Sequence, residues 1–432
     1  MASNAIAGNR RPARQWSGRR TYRMEIMSSV LQHDVVIVGT GLAGFSVASE
    51  LARLGYSGSV ALVGDEPWQP YDRPPLSKRY QIDGNDDAIR LGPELPPAIT
   101  QLLGCAVSQI DVARTTLRLL DGRELAWRKL VIATGARPRT LPQLQDSPRV
   151  RTLRTLDDAR AIRSALKPGG SLLVVGAGPI GLELAATSAE LGVKVTVVEM
   201  ATRVMSRSVP ALMADAILAH HRTAGLAIHL GRTVALLNDR SGEAVLDDGQ
   251  RVPADLLVVG VGVVANDGIA SQAGIACDDG ILVDGFGRTS AQNVFAAGDV
   301  TRQRHPRNGR LERVETWSNA QGQGRTVAAF LADPAAAKPH DMVPWFWSDQ
   351  GDIRLQCAGD TAGEVQAWRQ DPSGGRILAQ WTRGRLTGVA ALNAPRDFVQ
   401  LKRLIVDRTT ITPQQLMSGA GVRELVQQGL AG

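Results

Sequence analysis

One pattern occurs twice in this chain, and it constrains the fold more than any other feature. Residues 34–64 read DVVIVGTGLAGFSVASELARLGYSGSVALVG, and residues 172–199 read LLVVGAGPIGLELAATSAELGVKVTVVE. In each, an apolar strand-like run enters a Gly-x-Gly-x-x-Gly turn, a small-residue helical stretch follows, and a second apolar run ends beside a carboxylate. The glycines are Gly39, Gly41 and Gly44 in the first copy and Gly176, Gly178 and Gly181 in the second. The first glycine of each triplet permits a tight turn. The second lets backbone approach a diphosphate, and the third lets helix pack on strand. The diphosphate then rests on a helix N-terminus, where free N–H groups and the helix dipole favour an anion. Alone, such a triplet says little. With strand, helix and acidic strand end around it, it predicts a βαβ unit that holds a dinucleotide. The acidic residues are Asp65, with Glu66 as its rival, and Glu199. A carboxylate at that point accepts hydrogen bonds from a ribose diol and repels a 2′-phosphate. The second unit is therefore expected to take NADH rather than NADPH, with Arg203 as the nearby opposing charge.

Two such units suit one dinucleotide that stays bound and another that exchanges, FAD and NAD(H). The expected fold class is α/β, with two Rossmann-like dinucleotide-binding domains and a small α+β C-terminal domain. A chain of 432 residues is too long for one ordinary core, which fits several domains. Two shorter signals follow the first unit: VIATGARPR at 131–139 and NVFAAGDV at 293–300, each an apolar strand running into a glycine turn. After residue 336, alternating apolar runs give way to helical ones, the pattern of a small α+β unit.

Composition narrows the function. Apolar residues make up 44% and charged residues 21%, ordinary for a globular protein. No run of 18 apolar residues occurs, so no membrane span is expected. Cys105, Cys277 and Cys357 are far apart, which argues against a disulfide framework, a metal site or a protein-borne iron–sulfur cluster. The net charge of +7 is mostly a tail. Residues 1–30 carry six arginines against Glu25 alone and leave about +2 for the body, too little for a nucleic-acid-binding surface. The tail reads as a disordered extension, or as sequence upstream of a start at Met24 or Met27, rather than as an Arg-rich transit peptide or export signal.

The ATG and GD turns make the arrangement similar to the two-dinucleotide-domain flavoprotein reductases of the glutathione reductase type. That resemblance implies a split FAD domain at 31–150 and 275–335, an NAD domain at 151–274 inserted between, and a C-terminal domain at 336–432. The disulfide reductases of that fold carry a redox cysteine after the first fingerprint, and residues 45–90 contain none. Cys105 lies in LLGCAVSQI, which reads as a strand with a structural thiol. The remaining landmarks are VGDEPWQPYDRPPLSK, LRTLDDA, ETWSNAQGQG and VPWFWSDQ. Together they resemble the FAD-dependent NADH:ferredoxin and rubredoxin reductases that serve bacterial aromatic-ring oxygenases, over residues 34–415. GVGVVAND at 260–267 resembles the strand that returns from the NAD domain, with Ala265 where the family often has proline.

The resemblance implies a cytoplasmic enzyme that passes electrons from NADH through FAD to a [2Fe–2S] ferredoxin, and so indirectly to a terminal oxygenase. It assigns Gly39, Gly41, Ala43, Gly44, Asp65, Arg73, Lys78, Val107, Thr134, Gly135, Arg154, Asp299 and Trp317 to FAD. It assigns Gly176, Gly178, Ile180, Gly181, Glu183, Glu199 and Gly262 to NAD. Lys78 and Glu183 are the expected catalytic pair: a lysine near the flavin, held by a carboxylate in the apolar run GLELAA, with a structural interdomain salt bridge as the competing reading. Trp345 and Trp347 could flank the flavin or simply pack. One enzymatic alternative is a reductase for rubredoxin or for a P450-partner ferredoxin. Another class is a redox-sensing flavoprotein of the apoptosis-inducing-factor type, which predicts a long C-terminal insertion and a basic body that this sequence lacks.

Overall fold

A computed structural model describes residues 30–431, apart from 361, 371–373, 410 and 419. The basic extension therefore lies outside the described residues, save Val30. The first sheet is parallel in the order Ile99–Leu102, Val60–Val63, Leu31–Val38, Glu124–Ile132. Its inner strands are covered on both faces, so Val35, Val36 and Ile37 are all fully buried, and the strand reads as a continuous apolar run. The long strand Glu124–Ile132 has a divided outer edge. Its first residues pair antiparallel with Thr116–Leu119, and its last three pair parallel with Val294–Ala296 from far along the chain. Helix Leu42–Arg53 crosses helix Trp317–Ala332 closely, because a Cβ on Gly324 would stand 2.7 Å from the Ala43 carbonyl oxygen.

The second sheet is wholly parallel: Ala227–Leu230, Lys194–Glu199, Ser171–Val175, Leu256–Val259 and Val150–Thr152. Two short strands, Ala136–Pro138 and Val263–Ala265, pair antiparallel where the chain passes between the two sheets. Asn266 reinforces this crossing. Its side chain donates to the Thr134 carbonyl, and its own carbonyl accepts from the Thr134 hydroxyl.

The third unit is a five-stranded antiparallel sheet ordered Trp345–Gln350, Ile353–Gly359, Arg385–Leu392, Arg376–Thr382, Val365–Gln370. Helix Pro395–Asp407 buries Phe398, Leu401, Leu404 and Ile405 against it, an i, i+3, i+6, i+7 stripe. The edge strand Trp345–Gln350 packs on helix Pro179–Glu190, so Leu355, Cys357 and Leu378 share a core with Leu182 and Ala185.

One local reading changes. Cys105 lies in the turn between Ile99–Leu102 and Val107–Asp111, not in a strand, and its backbone N–H is tied to the Gly64 carbonyl. The stretch PPLS forms a short 3-10 turn with both prolines at its start, where a missing N–H costs nothing.

Candidate active site

The two glycine turns are near copies. Gly39 has φ +117° and Gly176 has φ +109°. A Cβ on either would strike the carbonyl oxygen of Ala133 or Gly260 at 2.1 and 2.4 Å, so only glycine can turn there. At the third glycines, a Cβ on Gly44 or Gly181 would stand 1.9 or 2.1 Å from the carbonyl of the first. The middle glycines differ: Gly41 and Gly178 face open space, with nothing within 4 Å of an added Cβ. Each is also the N-cap of its helix with no capping side chain, so the first-turn N–H groups stay free. Open space before an uncapped helix start is what a diphosphate needs. Both turns therefore fit the dinucleotides that the sequence implies. Ile180, in the second turn, is largely exposed.

The strand ends are not copies. In the second unit Glu199 closes its strand, and its carboxylate accepts from the Ala177 and Ala201 backbone N–H groups at 2.7 and 2.8 Å. The residue in register with it in the first unit is Gly64, because Val38 pairs with Val63 as Val175 pairs with Val198. A side chain at 64 would meet Thr40 at 2.5 Å. The acidic residue is thereby displaced outward. Asp65 is exposed, and Glu66 accepts from the Tyr71 hydroxyl and from Arg73 at 2.8 Å.

Arg73 also donates to the Arg154 carbonyl at 2.6 Å, and Arg154 Nη2 reaches Asp299 Oδ2 at 2.9 Å. Nε of Arg154 is buried without a hydrogen-bond partner, a donor available to a bound group, and Nη2 of the same guanidinium would stand 3.5 Å from a Cβ on Gly135. Ala43 is buried against Gly298, the residue before Asp299. Val107 starts its strand half-buried at the outer part of the same sheet. Gly262, φ +108°, faces the guanidinium of Arg207, a residue that sequence reasoning passed over.

The sequence places Lys78 and Glu183 far apart; the structure brings Lys78 Nζ to 3.0 Å from Glu183 Oε1. Glu183 is only 3% exposed. Burial pushes its carboxyl above the ordinary range, and the Lys78 charge opposes that push. The Ser77 hydroxyl donates to Oε2, and the Ser348 hydroxyl donates to Oε1 at 2.7 Å. Ser348 comes from the C-terminal sheet, so all three units meet at this one carboxylate. Lys78 Nζ lies 5.9 Å from the centre of the Trp347 ring, and Trp347 stands edge-on to Trp317 at 6.1 Å. Trp317 donates its indole N–H to Asp72 at 2.7 Å; burial raises the Asp72 carboxyl, while Trp317 and Lys78 lower it. Ser77 and Ser348 were visible in the quoted motifs but carried no sequence signal of their own, since their partners are set by packing. Among the described residues, no cluster of His, Cys, Asp or Glu is arranged to hold a metal. No helix among them is long and apolar enough to cross a membrane.

The family model described as pyridine nucleotide-disulphide oxidoreductase matches residues 33–324, and the reductase C-terminal model matches 345–425. A 3-phenylpropionate/cinnamic acid dioxygenase ferredoxin–NAD(+) reductase component of Photorhabdus laumondii is 38% identical, over 89% of this chain and 98% of its own. The ferredoxin–NAD(+) reductase component of the p-cumate 2,3-dioxygenase system of Pseudomonas putida is also 38% identical, over 88% and 95%. Among solved structures, the reductase in a covalent putidaredoxin reductase–putidaredoxin complex superposes with a TM-score of 0.86 at 35% identity, covering 93% of this chain and 99% of that one. Despite the family's name, the three cysteines are free thiols. The paired glycine turns and the appended antiparallel sheet agree with both models: the chain belongs to the pyridine nucleotide-disulphide oxidoreductase family, with the reductase C-terminal domain that its relatives also span.

Proposed function

We propose that this chain is the NADH-dependent flavoprotein reductase that passes electrons through FAD to a [2Fe–2S] ferredoxin serving a multicomponent, aromatic-ring-hydroxylating dioxygenase. The relatives named as ferredoxin–NAD(+) reductase components of dioxygenase systems support this reading, and they match over nearly their whole length. FAD, when bound, accepts two electrons together as hydride and releases them singly, which a one-electron carrier requires. The cytoplasm, where NADH is held and free thiols persist, is the compartment in which it works.

In this reading the unit at 31–150 and 275–335 holds FAD. Gly39, Gly41, Ala43 and Gly44 cradle its diphosphate, and Asp65, Arg73 and Val107 lie toward its adenosine end. Thr134, Gly135, Arg154, Asp299 and Trp317 lie along the rest. The unit at 151–274 takes NADH through Gly176, Gly178, Ile180, Gly181, Glu199 and Gly262. The third unit, 336–432, closes the site. The observation that carries the proposal is the Lys78–Glu183 pair, a buried carboxylate on the second glycine-turn helix holding a lysine of the first unit. A fixed ammonium at that junction stabilises negative charge arriving from the nicotinamide by a few kcal/mol, roughly, in a partly wet site.

Lys78→Met tests this directly. Stopped-flow reduction of the FAD-loaded protein by NADH is expected to slow about tenfold while FAD stays bound, the equivalent of ~1.4 kcal/mol. An unchanged rate overturns the catalytic role. A second reading keeps the same reaction with another carrier, a P450-partner ferredoxin or rubredoxin; the relatives named rhodocoxin reductase and putidaredoxin reductase support a choice of carrier outside the dioxygenase systems.

A further inference from the structure

Strand Trp345–Gln350 turns Ser348 and Gln350 to one face, two residues apart, against helix Pro179–Glu190. Ser348 is 0% exposed and Gln350 1%. Core-facing positions on a strand normally hold apolar side chains, and polar ones persist there only when fully partnered. Their partners form a single file. His221 Nε2 lies 2.7 Å from Gln350 Oε1, Gln350 Nε2 donates to Ser348 Oγ at 2.9 Å, and the Ser348 hydroxyl donates to Glu183. Met205 Sδ, 3.5 Å from Gln350 Nε2, gives the second amide hydrogen an acceptor on the same side. The amide nitrogen therefore faces Ser348, and its oxygen faces the ring.

That orientation has a consequence for Glu183. A serine hydroxyl has one proton to donate. While Gln350 offers N–H, Ser348 spends its proton on Glu183. With the amide reversed, its oxygen would take that proton and Glu183 would lose a donor. With the amide so placed, His221 Nε2 carries the ring proton, and that N–H, which needs an oxygen opposite, holds the amide in this orientation. Burial holds the His221 ring toward its neutral form against the Gln350 hydrogen bond, with His220 pushing the same way as burial and Asp352 opposing. The charge that acts on Glu183 is that of Lys78; Ser77 and Ser348 complete its donors.

We propose that His221 and Gln350 are positioning residues, which commit the Ser348 hydroxyl to Glu183 and thereby hold that buried carboxylate as the anion that anchors Lys78. Among the described hydrogen bonds neither reaches a glycine turn directly, and both reach Glu183 through Ser348. The proposal deepens the proposed function and rests on its Lys78–Glu183 pair.

The test reads the proton on Glu183 by infrared difference titration of the full-length, FAD-loaded protein, with the Glu183 band assigned by its loss in Glu183→Gln. Ser348→Ala removes the donor, and His221→Phe frees the Gln350 amide to reverse and take the Ser348 proton; each is expected to raise the Glu183 titration midpoint by about one pH unit, tenfold in proton affinity. Ser348→Thr, which keeps the hydroxyl, restores it. The double variant Ser348→Ala/His221→Phe shifts no further than Ser348→Ala, because both changes remove the same donor. The double variant His221→Phe/Gln350→Leu shifts less than His221→Phe, because the competing amide oxygen is gone. Should His221→Phe fail to fold, His221→Leu is expected to shift the midpoint in the same direction. An unmoved midpoint in a folded His221→Phe or His221→Leu protein, or additive shifts in Ser348→Ala/His221→Phe, overturns the proposal. Rapid reduction by NADH of Lys78→Met, run in parallel, separates the two ideas. A normal rate there removes the catalytic reading, and the titration then decides positioning by itself. A slowed rate with an unmoved His221→Phe midpoint removes positioning alone.

Discussion

A carboxylate as buried as Glu183 is tolerated because its donors converge on it, and its charge is worth most to the residue it holds. Lys78 is itself mostly covered, at 16% side-chain exposure, and its other polar contact is the Pro74 carbonyl at 3.3 Å. Glu183→Gln leaves that ammonium without its counter-charge. The expected loss is ~2–3 kcal/mol in urea unfolding, at or just below the range for breaking a buried pair because Lys78 keeps some water. The double change Lys78→Met/Glu183→Gln should recover most of it, since no charge is then stranded. A double variant as unstable as Glu183→Gln alone would contradict this. A second residue makes stability depend on pH. His340 is buried, with Nε2 2.9 Å from Asn319 Oδ1, and burial lowers its pKa from 6.5 to about 4. The folded protein thus holds the neutral ring and binds fewer protons than the unfolded chain. Its contribution is complete above pH 6.5 and is lost as pH falls from 6.5 to about 4, amounting to ~3 kcal/mol at most. His340→Gln should flatten the fall in unfolding free energy between pH 7 and pH 4.5. Some slope should remain, because burial also lowers His221 and His305.

At the scale of the element, the two strand–turn–helix units separate packing from binding. Gly181 sits where a Cβ would strike the Gly176 carbonyl at 2.1 Å, whereas Gly178 faces open space. Gly181→Ala should therefore cost ~2–4 kcal/mol by prying helix from strand, as overpacking does. Gly178→Ala should fold with normal stability and weaken NADH binding at least tenfold, because its methyl occupies the diphosphate's place. Isothermal titration with NADH beside thermal unfolding distinguishes the two. Loss of binding without loss of stability at Gly181, or the reverse at Gly178, would refute the assignment. These units were legible in the sequence because a local rule governs them: glycine spacing and apolar runs report backbone geometry within thirty residues. The displaced carboxylate of the first unit was less so. The register that makes Gly64 the counterpart of Glu199 is set by strand pairing, and only the positions of Val63 and Val198 in their own sheets reveal it.

Across the whole molecule, one carrier protein must meet the site that three units build. Most described ion pairs have at least one exposed partner, and the body's net charge is small. Steering of an acidic ferredoxin would then depend on local charge. NADH-driven reduction of a [2Fe–2S] ferredoxin is expected to fall several-fold between 50 and 300 mM salt, on the order of the screening at those strengths, while reduction of ferricyanide stays nearly flat. Equal salt dependence for both acceptors would argue against a docked carrier. Sequence alone determined the α/β class, the paired dinucleotide turns and the absence of a dithiol after the first fingerprint, because each is written in short-range spacing or composition. Through family resemblance it also offered Lys78 and Glu183 as a pair, with no geometry attached. Tertiary structure alone decided that they meet at 3.0 Å, that Ser348 of a third unit completes the carboxylate's shell, and that a file of buried polar groups runs back to His221. Apart from the Gln350–Ser348 link, those contacts join residues more than a hundred positions apart. Their partners are chosen by how sheets and helices pack, and no local pattern in the chain encodes that.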